Sequence, residues 1–487
     1  MNSTSIEEVK KIAATGDYKL IPVKREIFAD VRTPVETLRS LQSVSEHCFL
    51  LESAGSDMQW GRYSFLGYDP KMELSCTDHV LTVIAGGKLE VETKHPGDYI
   101  RKILDENKAP LVEGFPTFTG GLVGYFSYEY MQYGEPSLKF SSENNNDFCD
   151  MDLMLFDKLI CFDNYKQKII LIANVKSSCI ESSFAKAQIA LDEMQRLVES
   201  AAPLERKKGK LLSEIKPKFS EKEYCEMVTK VKKHIYEGDI FQLVLSNPME
   251  ADFEGSLLDT YRVLRTTNPS PYMFYFSGDT EIAGASPETL VKVTGREIKT
   301  FPLAGTSKRG ANFYEDQMLE KKLLSDEKEK AEHNMLVDLG RNDLGKLCDY
   351  GTVEVEKYMA VERFSHVMHI GSEIKGRLSM QYSAIDAVDS VLPAGTLSGA
   401  PKIRACQIID ELENDKRGIY GGAIGYVDFA GNLDTCIAIR LAYRKGQKVF
   451  VRSGAGIVAD SVPQKEFQEC VNKAGAVVEA LKEASRL

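Results

Sequence analysis

Between residues 421 and 460 the chain holds three β-rich runs joined by the tripeptides AGN at 430–432 and KGQ at 445–447. A connection that short cannot return a strand parallel to its neighbour, which takes a dozen residues or more, so the runs pair antiparallel as a meander. The pattern recurs upstream, where apolar runs at 158–162 and 168–175 flank a turn at 163–167 and read as a hairpin. The spacing predicts an amphipathic helix over 182–200 and another over 462–484, with Pro463 suited to the first turn of the latter. Strands adjoining in sequence, interleaved with helices but without regular β–α alternation, give an α+β class rather than a doubly wound sheet.

At 487 residues the chain exceeds what one ordinary core accommodates. The segment 201–218 (AAPLERKKGKLLSEIKPK) is basic, carries prolines near both ends and lacks a hydrophobic period. It reads as a linker between an N-terminal region, 1–200, and a C-terminal one, 219–487. A formal net charge of −11 excludes a nucleic-acid binder, whose surface is basic. The ten cysteines form no C-x-x-C pair and no zinc-spaced cluster, as expected of buried thiols in a reducing compartment. Residues 1–14 are too acidic and too short of apolar residues for a secretory signal, and no stretch approaches the ~20 apolar residues that span a bilayer. The expectation is a soluble, cytoplasmic protein.

Several constellations have the residue types that handle anions. Along 435–444 (TCIAIRLAYR), strand alternation places Cys436, Ala438, Arg440 and Ala442 on one face. Arg440 would then stand among small neighbours, with room for a planar anion to accept two parallel hydrogen bonds. On that strand alone, a structural arginine paired with a carboxylate is the simpler reading. The next run ends in Gly454, Ala455 and Gly456, where backbone N–H groups can approach an anion without a Cβ in the way. Glu329 and Glu332 lie three apart on one predicted helix, and Glu466 and Glu469 repeat that spacing on the last one. Carboxylates from two helices with no softer donors suit a hard divalent cation, although each pair alone also suits a solvated surface. PLAGTSKRG at 302–310 and PAGTLSGAPK at 393–402 each hold a Gly-Thr turn that presents hydroxyl and backbone donors together. His369 sits in an apolar, strand-like run, where a core histidine is the plainer reading; His366 and His369 lack a third ligand at zinc spacing.

These segments are ordered along the chain as LLES (50–53), NPSPYMF (268–274), SPE (286–288), PLAGT (302–306) and AEHNMLVDLGRND (331–343). PAGTLSGAPK, YGGAIGY (420–426), RSGAGIVADSVPQKE (452–466) and NKA (472–474) follow. Together they resemble the chorismate-utilising enzymes, and within them the anthranilate synthase component I branch, over nearly the whole length. The resemblance implies antiparallel β-sheets packed face to face and flanked by helices. It implies magnesium as cofactor, held by Glu332 and Glu469 with Glu466 behind them. Chorismate contacts fall on Gly305, Thr306, Tyr420, Arg440, Gly454, Ala455 and Gly456. The family's catalytic histidine matches His369, its threonine beside the substrate ring matches Thr396, and Glu288 is the candidate general acid. LLES and NPSPYM match a tryptophan site, implying feedback inhibition through Glu52, Ser53, Pro271, Tyr272 and Met273.

The reaction so implied is amination of chorismate at C2 with loss of the C4 hydroxyl, then elimination of pyruvate to give anthranilate, the first committed step of tryptophan biosynthesis. Aminodeoxychorismate synthases carry a nucleophilic lysine where this chain has Ala304, and isochorismate synthases a lysine base where it has Gln242. Neither amine is present, so free ammonia is the expected nucleophile. No cysteine sits in a glycine-flanked amidotransferase motif, which implies a glutamine amidotransferase subunit as ammonia source; the family resemblance implies a heterotetramer of two large and two small subunits. The competing readings are aminodeoxychorismate synthase component I, an enzyme that stops at the aminodeoxyisochorismate intermediate, and a non-catalytic scaffold that senses tryptophan.

Overall fold

The computed structural model describes residues 3–30, 32–54, 61–140, 148–200, 207–364 and 367–487. Two large, mostly antiparallel sheets lie face to face with helices on their outer sides, the α+β arrangement expected. Period-two alternation assigns the layers. In the strand Lys168–Lys176, Ile169, Leu171, Ala173 and Val175 pack outward under helices, while Ile170 and Ile172 face the other sheet. The space between sheets is filled by aromatic and aliphatic side chains from both. Phe49 and Phe156 meet edge to face across it, with centroids 4.8 Å apart. Helices Ile180–Glu199, Leu258–Thr267 and Pro463–Ala484 cover the first sheet; Pro96–Glu106, Glu327–Gly345 and Ala384–Val391 cover the second.

The strand order crosses the boundary drawn from composition. In the first sheet, Cys48–Glu52 pairs with Tyr272–Ser277; in the second, Gly121–Phe126 pairs with Ala423–Asp428. Residues 1–200 and 219–487 therefore contribute strands to the same two sheets and share their cores. The segment read as a linker also contains sheet: Lys210–Leu211 and Lys216–Pro217 both pair with Gln242–Glu254. Residues 201–206 lie outside the described ones. The reason is physical: a lack of hydrophobic period marks an exposed edge as readily as a tether, and short edge pairings need no apolar face.

The expected hairpin is Lys158–Asp163 with Lys168–Lys176, and the last helix is Pro463–Ala484 with its proline in the first turn. The meander needs correction. It comprises two hairpins in different sheets: Ala423–Asp428 with Leu433–Ile437 in the second, and Leu441–Lys445 with Lys448–Ile457 in the first. The run 435–444 breaks between them, where Arg440 takes a left-handed backbone at φ +54°. Simple alternation through Arg440 therefore fails. Its side chain is aimed by a crossover between sheets, in a conformation that costs a non-glycine residue on the order of 1 kcal/mol and concentrates at functional sites.

Candidate active site

The crossover gathers the site. Glu288 follows the strand Thr280–Ser286 and is buried; its carboxyl oxygen accepts from Thr396 Oγ1 at 3.2 Å. Burial pushes its pKa up to about 8, although the Thr396 hydroxyl, the Leu303 N–H and the Lys473 ammonium all favour the anion. Glu288 therefore stays a protonated acid at neutral pH. Behind it lies a small cavity of about 40 Å³ lined by Leu336, Leu339, Gly395 and Thr396.

The strand Leu303–Lys308 lies against Val367–Arg377, with Ala304 opposite Ile370. His369 Nδ1 is 2.8 Å from the Gly305 carbonyl and 3.2 Å from Thr306 Oγ1. A carbonyl only accepts, so Nδ1 carries the proton and Nε2 is left as the basic nitrogen. Burial, and then Arg440 and Lys473, lower the pKa of this ring, which keeps it neutral. Gly305 has φ +63°, and a Cβ there would stand 2.9 Å from Glu329 Oε2; glycine fits because the helix carrying the carboxylates passes directly over it.

Arg440 Nη1 donates to the Lys473 carbonyl at 2.6 Å, and Lys473 Nζ pairs with Glu469 at 2.7 Å. Burial lowers the Arg440 pKa, while Tyr420 and Glu469 favour its charge. The Tyr420 hydroxyl would be 3.2 Å from a Cβ on Gly454, and the Gln242 amide nitrogen 3.0 Å from one on Gly456. The Gln242 carbonyl oxygen is buried without a hydrogen-bond partner. The charges of Arg440 and Lys473 act on His369, Tyr420 acts on Arg440 and Lys473 on Glu288, which brings these groups into one neighbourhood.

Carboxylates converge from two helices. Burial raises the pKa of Glu329, and Glu332, Asp326 and, across the helix gap, Glu469 add to the effect. Glu466 is raised by burial and by Glu469, against a Ser461 hydrogen bond. Like charges held together from Glu327–Gly345 and Pro463–Ala484, with only oxygen donors, fit a magnesium ion: its charge would relieve their repulsion, and it tolerates water and substrate oxygens as remaining ligands. Among the described residues the one trio of ligand atoms within 4.8 Å is elsewhere, His234, Glu237 and Asp239, where Arg404 already neutralises Asp239 at 3.1 Å.

The expected tryptophan residues adjoin in backbone register, Glu52 opposite Met273, but their side chains divide. Glu52 accepts from Tyr261 (2.6 Å), Arg265 and Ser64 (3.2 Å each). Met273 faces the helices, whereas Tyr272 packs between the sheets, its hydroxyl bonded to Asp434 at 2.8 Å and Thr289 at 3.0 Å. The Ser53 hydroxyl is buried with no partner. A groove of about 770 Å³ runs from Ala54 and Pro271 to Pro287, Leu303 and Gly371, so it reaches the neighbours of Glu288 and Ala304 without containing Glu288, His369 or Thr396.

The profile of the chorismate binding enzymes matches residues 46–479. The chain belongs to that family. It is similar to anthranilate synthase component 1 of Acetivibrio thermocellus, 42% identical over 99% of both chains, and to that of Methanothermobacter thermautotrophicus, 41% identical over 94% of both. The crystal structure of anthranilate synthase component I from Streptococcus pneumoniae superposes with a TM-score of 0.77 at 39% identity, covering 86% of this chain and 92% of that one. The menaquinone-specific isochorismate synthase of Escherichia coli shares the fold, with a TM-score of 0.70 at 20% identity over 98% of both chains.

Within this chorismate-binding chain, motif reading left out the layer beneath the site. Glu413 is fully enclosed and accepts from Arg417 (2.6 and 3.0 Å), Arg452 (2.9 Å) and the Ser246 N–H (2.7 Å). Arg417 also donates to the carbonyls of Leu397 (2.6 Å) and Val244 (2.7 Å), fixing the loop after Thr396 and the strand after Gln242. Glu129 from the N-terminal region accepts from the Arg417 and Gly418 N–H groups, at 2.6 and 2.9 Å. Lys473 was also missed as a site residue, although NKA contained it; the i, i+4 spacing to Glu469 was the available signal. His366 lies outside the described residues.

Proposed function

We propose that the chain is the chorismate-consuming component of an anthranilate synthase, forming anthranilate and pyruvate from chorismate and ammonia in the committed step towards tryptophan. The observation that carries this reading is Glu288. It is a buried carboxyl kept protonated to about pH 8, one hydrogen bond from Thr396, with the Lys473 charge acting both on it and on a neutral His369. The similarity of the whole chain to relatives of that name supports it.

Arg440 binds one substrate carboxylate in a pocket that burial has stripped of water, and Gly454, Ala455 and Gly456 let the backbone close on the same anion. Glu332 and Glu469 would hold a magnesium ion, whose positive charge would offset the second substrate carboxylate among the glutamates. Ammonia adds at C2 while Glu288 gives its proton to the C4 hydroxyl, which leaves as water; the new C2 ammonium then returns a proton to the Glu288 carboxylate. In the second half, His369 Nε2 takes the C2 proton, the C3–O bond breaks, and the departing enol takes up a proton to become pyruvate as the ring becomes aromatic. Ala304 offers no amine to the ring, and the Gln242 amide cannot take a proton from water at neutral pH, so neither lysine-dependent relative's chemistry fits.

Ammonia comes from a separate glutamine amidotransferase subunit in this reading. Tryptophan inhibits by binding where Ser53 and Pro271 adjoin, and the Tyr272–Thr289 hydrogen bond passes the change to the residue next to Glu288. The direct test mixes the purified chain with chorismate, magnesium and an ammonium salt. Anthranilate fluorescence and stoichiometric pyruvate are expected. Pyruvate with a different aromatic product, or no turnover, refutes the assignment.

A further inference from the structure

The helix that carries Glu332 is fastened to the sheet by an irregular element. The edge strand Glu354–Arg363 pairs with Val367–Arg377, but its register shifts on both sides of Lys357, between Val355 and Ala360. Met359, inside that bulge, has φ +49°, which an unbranched side chain adopts only when its surroundings over-determine it. Two contacts do so. The Met359 N–H donates to Ser372 Oγ at 3.0 Å, and the same oxygen is hydrogen-bonded with His333 Nε2 at 2.6 Å. The adjacent Tyr358 hydroxyl donates to Asn334 Oδ1 at 2.6 Å.

His333 and Asn334 directly follow Glu332, and Ser372 lies three residues beyond His369 on the catalytic strand. His333 is fully buried, so its bond to Ser372 replaces solvent it cannot reach. On a helix, a rotation about the axis moves consecutive residues together: fixing His333 and Asn334 fixes the direction in which Glu332 points. The bulge, where the edge strand departs from regular pairing, supplies both fixings at one place.

Resting on the proposed magnesium site, we infer that Tyr358, Met359 and Ser372 form a clamp that sets the rotation of the Glu327–Gly345 helix through His333 and Asn334, making His333 a positioning residue for the Glu332 carboxylate. Groups behind a metal ligand commonly tune affinity ten- to a hundredfold without touching the ion.

The test uses the full chain and Mn²⁺ as probe, its binding followed by electron paramagnetic resonance with chorismate present and ammonium absent, so that no turnover occurs. Ser372→Ala and His333→Phe are expected to weaken Mn²⁺ about tenfold. His333→Gln, whose amide reaches the place of Nε2, is expected to stay within about threefold of the parent. Tyr358→Phe removes one hydroxyl from a half-exposed ring and is expected to weaken Mn²⁺ about threefold; it covers the case in which a buried substitution fails to fold. Variants that melt earlier yet bind Mn²⁺ like the parent would show His333 and Ser372 to be structural only, and would overturn the clamp. A parent chain that binds no Mn²⁺ but makes anthranilate would refute the metal site and the clamp with it; one that binds Mn²⁺ but makes no anthranilate would refute the proposed reaction alone.

Discussion

Replacing Glu288 with glutamine separates what the carboxyl does from what it costs. Glutamine has the shape of the protonated acid and keeps the contact with Thr396, but it cannot give up a proton. Burial holds the folded carboxyl at about 8 against an ordinary value of 4.5. For an acid raised on folding, the folded state binds more protons than the unfolded one between those values, so stability falls as pH rises through that window and levels off above about 8. At pH 7 the unfolded carboxyl is almost wholly ionised and the folded one about ten to one protonated, which corresponds to a loss of about 3 kcal/mol relative to acid pH. Glu288→Gln has no such loss. Its midpoint of unfolding should exceed the parent's by a margin that widens from pH 5 to pH 8 and then stays level, measured by thermal or denaturant melts across that range. In ammonia-dependent anthranilate formation, its kcat should fall by about 10²–10⁴, and the parent's kcat should decline as pH rises through about 8. A stability difference independent of pH, or a variant with the parent's kcat, would refute the argument that Glu288 is a buried, protonated acid.

Glu332→Ala and Glu469→Ala should each abolish turnover while leaving far-ultraviolet circular dichroism and the melting midpoint close to the parent's, since alanine suits both helices; retained turnover would refute the metal assignment. Glu413→Gln strips the shared counter-charge from Arg417 and Arg452 in the buried layer below the site, and a loss of about 3–5 kcal/mol by denaturant unfolding is expected. A loss below about 1 kcal/mol would mean those arginines are satisfied by carbonyls alone. Tyr272→Phe removes the hydroxyl that joins the proposed inhibitor corner to Thr289, and should raise the tryptophan concentration for half-inhibition about tenfold; an unchanged value would place the coupling elsewhere.

Local pattern disclosed what depends on neighbours in sequence. The tripeptide turns fixed antiparallel pairing, Pro463 marked the start of the last helix, and the run around His369 is the strand expected. What depends on distant partners stayed hidden. The string around Arg440 has the composition of one continuous strand, and nothing local reports that Leu433–Ile437 and Leu441–Lys445 belong to different sheets. The decision is made by where each half finds a pairing partner, Thr289–Thr294 for one and Thr280–Ser286 for the other. Glu413, Arg417 and Arg452 carry no local sign of burial, because it is created by the layers that close over them. The carboxylates of the two helices had the right spacing, but only the packing turns them towards each other.

The crossover at Arg440 also accounts for why the site lies where it does. Two stacked sheets bury their facing surfaces with apolar side chains, and a polar site has no place in that space except where strands leave it. Between Ile437 and Leu441 the chain passes from one sheet to the other, and there Arg440 reaches the Lys473 carbonyl on the last helix while Ala438 bonds to Gly422 beside Tyr420. The neighbouring Thr280–Ser286 and Thr289–Thr294 strands make the same passage between sheets, with Glu288 at the bend. Two adjacent passages between the sheets thus carry Glu288, which is buried, and Arg440, which is partly buried, each on backbone held by strand pairing on both sides. An acid kept protonated by burial, and an arginine in the proposed role of binding an anion, both need a place that the flanking sheets shield from bulk water.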